Sequence, residues 1–201
     1  LTGAQLRGIA TFYQGDAVHW DYFFALNEMM SEHEHFMRAA LEEARQALVA
    51  GDFPVGCVMV AEKRIVARGR RMNSVEGCRN EIDHAEVVTL RGLIAEQPQL
   101  DLATVTVYST LEPCLMCYTT MLLSGIRSFV WAYEDVMGGG ANLPLYMLNT
   151  LYAQMRVHLL DRVLRDESLC LFQEFFQTGT YWQDSLLARY TQAQTVTAAK
   201  P

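Results

Sequence analysis

Apolar and polar residues change period several times along this chain, and each change marks an element. Phe36, Ala40, Ala44, Ala47 and Leu48 recur on one helical face, and Gly51 suits a left-handed stop. Ser31 followed by Glu34 reads as a capping box, which predicts that the helix begins there. Residues 55–60 and 64–68 flank Glu62-Lys63 and read as a β-hairpin. Residues 73–83 read as a loop, and a helix is predicted over about 84–96, ended by Pro98. Residues 104–110 alternate as a strand. Pro113 then opens a helix at its first position, where a missing N–H costs nothing, and Gly125 closes it. A strand over 128–133, a helix over 144–155 and a last strand over 156–160 follow, then helices near 166–177 and 181–193. Gly138-Gly139-Gly140 is expected to be the one flexible loop.

A strand, a helix and a strand at this spacing favour a parallel crossover with helices on both sheet faces. The expected class is therefore α/β: a three-layer α/β/α domain around a mixed five-stranded sheet, its site at the N-terminal ends of two helices. The length of 201 residues suits one such domain, over 30–201. Residues 1–29 fit it poorly. They are rich in aromatics (Phe12, Tyr13, Trp20, Tyr22, Phe23 and Phe24) and lack clear periodicity, so they read as an extension without an assigned role.

No apolar run reaches the roughly 18 residues that span a bilayer, and no signal peptide is recognisable, so a cytoplasmic protein without membrane association is expected. The five cysteines are Cys57, Cys78, Cys114, Cys117 and Cys170. An odd number at irregular spacing is a poor disulfide framework, and a close pair in such a chain points to metal or redox chemistry. The net charge is −7, from 23 acids against 16 bases, which argues mildly against a large phosphate-binding surface. Bases do gather at Lys63, Arg64, Arg68, Arg70, Arg71 and Arg79, a group read as a solvated face.

The candidate chemistry is a split pattern, His84-Ala85-Glu86 and Pro113-Cys114-Leu115-Met116-Cys117. Catalytic zinc takes three protein ligands and keeps a fourth position for water. His84, Cys114 and Cys117 make that count, and Glu86 is left over as a proton carrier. A helix N-terminus lowers thiol pKa values, and the thiolate is the form zinc binds. On an ideal helix His84 and Glu86 would stand roughly 200° apart, so they converge only if the site lies at the helix mouth. Zinc lowers the pKa of water towards 7, and a carboxylate can move the proton from that water to a leaving amine. The pattern H-x-E…P-C-x-x-C is the one zinc nucleobase deaminases carry. Cys57, Cys78 and Cys170 read as core or surface thiols. Two rivals remain open: a dithiol oxidoreductase using Cys114 and Cys117, which leaves His84 and Glu86 unexplained, and a non-catalytic zinc-bearing subunit, which has no use for Glu86.

On these residues the chain resembles the cytidine-deaminase-like superfamily, and within it the bacterial tRNA adenosine deaminases. The similarity runs over about 31–176. It includes Phe53-Pro54-Val55-Gly56-Cys57-Val58, Asn73, His84-Ala85-Glu86-Val87, Ser109-Thr110-Leu111-Glu112-Pro113-Cys114-Leu115-Met116-Cys117, Ser124-Gly125-Ile126 and Glu174-Phe175-Phe176. The resemblance implies that His84, Cys114 and Cys117 bind Zn2+ and that Glu86 shuttles protons. It also implies that Asn73 and the Ala85 N–H contact the substrate, that Phe53 and Leu111 wall the pocket, and that Asp135 lies near a nucleic-acid strand. Asn73 also reads as a turn residue, Asp135 as a loop cap, and Phe175 and Phe176 as core aromatics. A homodimer is implied as well.

The implied activity is hydrolytic deamination of a nucleobase-containing substrate, either a tRNA anticodon loop (tRNA processing) or a small base or nucleoside. The resemblance puts the tRNA reading first, with a free base or nucleoside as the alternative, and two departures weaken the first. After Asp135 the chain reads Val136-Met137-Gly138-Gly139-Gly140 where the tRNA enzymes carry a Lys-Thr-Gly-type loop. Their basic C-terminal helix is replaced by the stretch around Tyr181-Trp182, and from 161 onward there are five acids and four bases. An aromatic segment near Trp182 could cap a small pocket, as in free-base deaminases.

Overall fold

The computed structural model describes residues 17–74, 80–178 and 181–196, with side chains from Ala25 onward. Phe12, Tyr13, Cys78 and Arg79 lie outside the described residues, as do the side chains of Trp20, Tyr22, Phe23 and Phe24. The chain divides between His33 and Glu34 into two compact units, and the second carries the whole sheet and the site.

Helix α1 (Ala17–Val49) passes straight through Ser31, so the helix does not begin at the capping box. Residues 17–30 contain neither glycine nor proline, and a capping sequence cannot start a helix that nothing upstream has stopped. Its end is as expected. Gly51 sits at φ 81°, and the N–H groups of Gly51 and Asp52 return to the Leu48 and Ala47 carbonyls at 3.0 and 2.9 Å.

Strands β1 (Gly56–Ala61) and β2 (Arg64–Arg70) form the expected hairpin, with Glu62 at φ 49° and Lys63 at φ 59° in the turn. Two successive positive φ values match the twist of the flanking strands. With β3 (Thr106–Leu111), β4 (Ser128–Tyr133) and β5 (His158–Leu160) they make a sheet of order β2-β1-β3-β4-β5. Strand β1 is antiparallel to both neighbours, whereas β3, β4 and β5 run parallel, so the sheet is mixed.

Successive residues of β3 show the layers, because side chains alternate across a strand. Tyr108 packs its ring 5.3 Å from Phe36 of α1, while the next residue, Ser109, donates to Glu86 of α2 (Ala85–Glu96) on the other face. Helix α5 (Arg165–Thr178) shares the α1 side, where Arg38 Nη1 meets Glu167 Oε1 at 2.6 Å. Gly56 has a specific reason to be glycine. A Cβ there would stand 2.0 Å from the Ala40 carbonyl oxygen and 2.5 Å from the Ala44 nitrogen, so α1 lies directly on the strand backbone.

Four further expectations are corrected. Helix α3 (Leu115–Leu123) has Cys114 as its N-cap, which puts Pro113 one residue before the cap and not at the first helical position. Over 144–155 there is only a short 3-10 turn (Leu145–Met147) and the one-turn α4 (Thr150–Ala153). Tyr146, Met147 and Leu151 are exposed there, and a helix with no buried face is not held together by packing. Helix α6 (Leu186–Ala193) begins at Ser185, whose hydroxyl accepts from the Ala188 N–H at 3.0 Å; residues 181–185 form a turn with Trp182 at φ 58°. The glycine run is pinned: Gly139 N donates to Asp135 O (3.0 Å), Gly140 N to Pro113 O (2.9 Å), and Leu115 N to Gly138 O (3.3 Å). Among the described residues no helix is long and apolar enough to cross a membrane.

Candidate active site

Helices α2 and α3 start the same way, and that shared start assembles the site. His84 and Cys114 are their N-caps, both with extended backbone (ψ 150° and 166°) and neither using its side chain to cap. The imidazole and thiol are thereby free to point forward from the two helix mouths. Cys117 lies in the first turn of α3, on the same side as Cys114. His84 Nδ1 comes to 3.4 Å from Cys114 Sγ and 3.5 Å from Cys117 Sγ, and the three donor atoms all lie within 4.8 Å of one another. A tetrahedral zinc with its usual bond lengths separates nitrogen and sulfur by roughly 3.6 Å, so this donor set fits the ion. Glu81 stands 3.8 Å from His84 Nε2, where an acceptor would orient the ring of a ligating histidine.

Burial and charge are arranged to suit the same chemistry. The hydrogen bond from Cys117 holds Cys114 down at about 4, against the cost of burial, with His84 adding to the effect. That bond and burial together push Cys117 far up. Glu86 is 3% exposed, and its Oε1 accepts from Ser109 Oγ at 3.2 Å. Burial raises its pKa, and the nearby Cys114 thiolate raises it further. A carboxylate so placed accepts and returns a proton more readily near neutral pH than an exposed one. His84 and Glu86 converge because His84 sits at the cap, outside the helical wheel.

A cavity of about 380 Å³ opens over these groups, and His84, Ala85, Glu86, Leu111 and Cys114 line its metal end. Phe53 lines it too, held edge-on by Phe172, Phe175 and Phe176 at ring distances of 5.2, 5.3 and 6.0 Å. Phe175 and Phe176 are thus core aromatics that brace the pocket wall. Asp135 lines the cavity and also closes its own loop, its Oδ1 accepting from the Met137 and Gly138 N–H groups at 3.0 Å each. Glu112, 6% exposed, ties that loop to the Pro113 turn by accepting from Asp135 N (3.3 Å) and Ala141 N (3.2 Å).

Of the candidates, Cys117 and Asn73 are not among the lining residues: Cys117 is fully buried, and Asn73 lies in the turn after β2. Its side chain donates to Asp83 Oδ2 at 3.1 Å, and its φ of 62° marks a turn residue. Arg71, expected on a solvated face, lines the cavity instead. Arg71 is 3% exposed, its backbone N–H donates to Val55 O at 2.8 Å, and its Nη2 meets Glu81 Oε2 at 3.2 Å. Two other members of that basic group, Arg68 and Arg70, are 3.7 and 3.3 Å from the buried Glu43. Glu81, Tyr181 and Leu187 also line the cavity without having been foreseen, whereas Trp182, expected to cap a small pocket, does line it. Tyr181 donates to Glu81 Oε1 at 2.7 Å. The signal that could have found Arg71 is its place directly after the hairpin, where the last ladder bond fixes which way it faces.

The model of the cytidine and deoxycytidylate deaminase zinc-binding region matches residues 30–133. The tRNA-specific adenosine deaminase of Aquifex aeolicus is 34% identical over 144 residues, which is 72% of this chain and 93% of that protein. The enzyme of the same name from Streptococcus pyogenes (serotype M18) is 29% identical over 150 residues, 75% of this chain and 93% of the relative. A structure from biochemical and structural studies of A-to-I editing by tRNA:A34 deaminases superposes with a TM-score of 0.59. It is 27% identical and covers 68% of this chain and 98% of its own.

Proposed function

Since this chain belongs to the cytidine and deoxycytidylate deaminase zinc-binding family and is a zinc-dependent hydrolytic deaminase, we propose that its four motif residues deaminate a nucleobase. His84, Cys114 and Cys117 would hold zinc, which when bound supplies water acidified to near-neutral pH. The Glu86 carboxylate carries the protons of the attacking water, one to the ring nitrogen beside the reacting carbon and one to the exocyclic nitrogen. That nitrogen leaves as ammonia, and the ring carbon keeps the oxygen as a carbonyl. Phe53 and Leu111 wall the base, and the Ala85 N–H, at the first position of α2, is a donor without a helical partner that can meet a ring acceptor. The observation that carries this reading is the meeting of one nitrogen and two sulfurs within 4.8 Å beside a buried carboxylate.

The test is Glu86→Gln. Zinc stays at one per chain, and ammonia release falls by about 10²–10⁴, the range general acid–base catalysis supplies. Unchanged turnover by the zinc-loaded variant would remove the proton-carrier role. Fresh chelator-free protein holding no zinc would remove the metal site.

The substrate takes one of two forms. The names of the relatives favour an adenosine in a tRNA. A small base or nucleoside is favoured by the cavity, which Tyr181 and Trp182 line and where the described residues offer four carboxylates against one guanidinium. Ammonia release from an anticodon stem-loop alone would establish the first, and release from small bases alone the second. We further assign the deaminase domain to 30–201, with 1–29 an extension, because the family match begins at residue 30. Assembly as a homodimer is favoured by exposed Tyr146, Met147, Leu151 and Leu159, and a cytoplasmic location by the kinship with tRNA-modifying enzymes.

A further inference from the structure

Arg71 carries more hydrogen-bonding capacity than the protein uses. A guanidinium has five N–H donors and no acceptor, and burying an unpaired donor costs free energy. Nη2 is satisfied by Glu81 Oε2 at 3.2 Å, with Tyr181 Oη at 3.5 Å. Nη1 is buried and has no hydrogen-bond partner among the described residues, although Arg71 lines the cavity. The same Glu81 oxygen is 3.2 Å from Arg71 Nη2 and 3.8 Å from His84 Nε2, so the guanidinium stands one carboxylate away from the ligand imidazole. Arg71 therefore lines the same cavity as the metal ligand His84, one carboxylate away from it.

The identity of the missing partner follows from charge. Glu81 already pairs with the guanidinium, and the described lining holds three more carboxylates, Glu86, Glu112 and Asp135. A phosphate would bring further negative charge into that field, whereas a neutral acceptor would not. Tyr181 anchors Glu81 from the other side at 2.7 Å, which keeps the guanidinium plane from turning away. A fixed pair of N–H groups selects an edge with two adjacent acceptors, such as O6 and N7 of guanine, whose reacting amine lies elsewhere on the ring; adenine, with its reacting amine on the N7 edge, has no carbonyl oxygen to offer the guanidinium.

We propose that Arg71 is a specificity-determining residue whose free Nη1 binds the carbonyl-bearing edge of an oxo-base, so that guanine- or cytosine-type substrates are deaminated in preference to adenine. This rests on the deaminase reading of the same site. It makes Arg71 a donor to substrate and leaves Asn73 as a turn residue.

The experiment compares guanine with 2-aminopurine, which has the same C2 amine and lacks the oxygen, alongside cytosine, adenine and an anticodon stem-loop RNA. Zinc-loaded wild-type protein is expected to favour guanine or cytosine over adenine, and which of the two is faster identifies the ring. In Arg71→Met, kcat/KM on the carbonyl-bearing base falls by roughly 10–100-fold, and for guanine the loss on 2-aminopurine is smaller by about tenfold. Equal losses on guanine and 2-aminopurine would make Arg71 a structural residue and overturn the proposal. So would wild-type preference for adenine or for adenosine in the RNA, and in that case the deaminase reading would survive. If Arg71→Met does not fold, Arg71→Lys keeps a cation opposite Glu81 and lacks the fork. The same selective loss is then expected, and an unselective one overturns the assignment. Absence of ammonia from every substrate, with zinc bound, would instead fall on the deaminase reading itself.

Discussion

The two ends of the cavity are built by opposite means. At the metal end the backbone does the positioning: two helix caps and the first turn of α3 bring His84, Cys114 and Cys117 together, and the first turn of α2 sets Glu86 in the same cavity. At the far end side chains position one another, with Tyr181 on Glu81, Glu81 on Arg71, and the aromatic rings packed around Phe53. Helix caps leave few alternatives, because their orientation is set by the sheet the helices pack on. A chain of side-chain contacts can be rebuilt with other residues. Reaction chemistry therefore belongs to the rigid end and substrate choice to the replaceable one.

The strongest way to break that contrast is to remove one ligand. In Cys117→Ser, zinc affinity is expected to fall by more than about a hundredfold, since even the outer partners of metal ligands are worth 10–100-fold. Ammonia release falls with it, and metal analysis of the purified variant reads the loss directly. A variant that kept zinc and turnover would show the metal end to be as adaptable as the rim.

A gentler cut tests whether the cap itself is what matters. A Cβ on Gly140 would lie 2.6 Å from Leu115 Cα, 2.7 Å from Leu115 N and 3.0 Å from Cys114 C, all backbone that cannot swing aside. Gly140→Ala should push the start of α3 away from α2, weakening zinc binding by about tenfold and folding by about 1–3 kcal/mol, the usual cost of overpacking. Gly138→Ala is the comparison, because its Cβ would meet only the Asp135 carboxylate, at 3.1 Å. Its unfolding temperature should drop less. Equal drops in the two variants would mean that the glycine run, and not the approach to the cap, sets the cost.

The same contrast explains which features are legible in the sequence. The metal end was legible because its requirements are local in sequence: a cap, a turn and a spacing of three residues. The five strands were legible too, since their periodicity and the hairpin at Glu62-Lys63 are short-range features. Asn73 and Arg71 show the limit. Both are polar residues in a stretch without apolar period, so the pattern does not say that Arg71 is buried and lines the cavity. Tyr181 reaches Glu81 across the whole domain, a pairing no local pattern encodes. The start of α1 was missed for a different reason. Ser31 and Glu34 satisfy a capping pattern, but nothing before them interrupts the helix.

The far end also depends on a charge that the metal end does not, and pH separates them. Helix α6, which carries Leu187 to the cavity, is tied to β4 through Glu134. Tyr190 Oη donates to Glu134 Oε1 at 2.7 Å, and Arg165 donates to both carboxylate oxygens, at 2.7 Å from Nε and 2.5 Å from Nη2. Burial alone would raise this carboxyl, but the hydrogen bonds from Arg165 and Tyr190 outweigh it and hold the pKa at about 2, against an ordinary 4.5. A folded-state pKa below the unfolded one means stabilisation that is complete above pH 4.5 and disappears as pH falls towards 2. Glu134→Gln should therefore cost about 2 kcal/mol of unfolding free energy at pH 7, with the gap to wild type closing through that acid window. Denaturant unfolding at a series of pH values measures it, with zinc content at neutral pH as the control. A gap that stayed constant down to pH 3 would assign the cost to lost packing, and α6 would then be held by its apolar face instead of by the carboxylate.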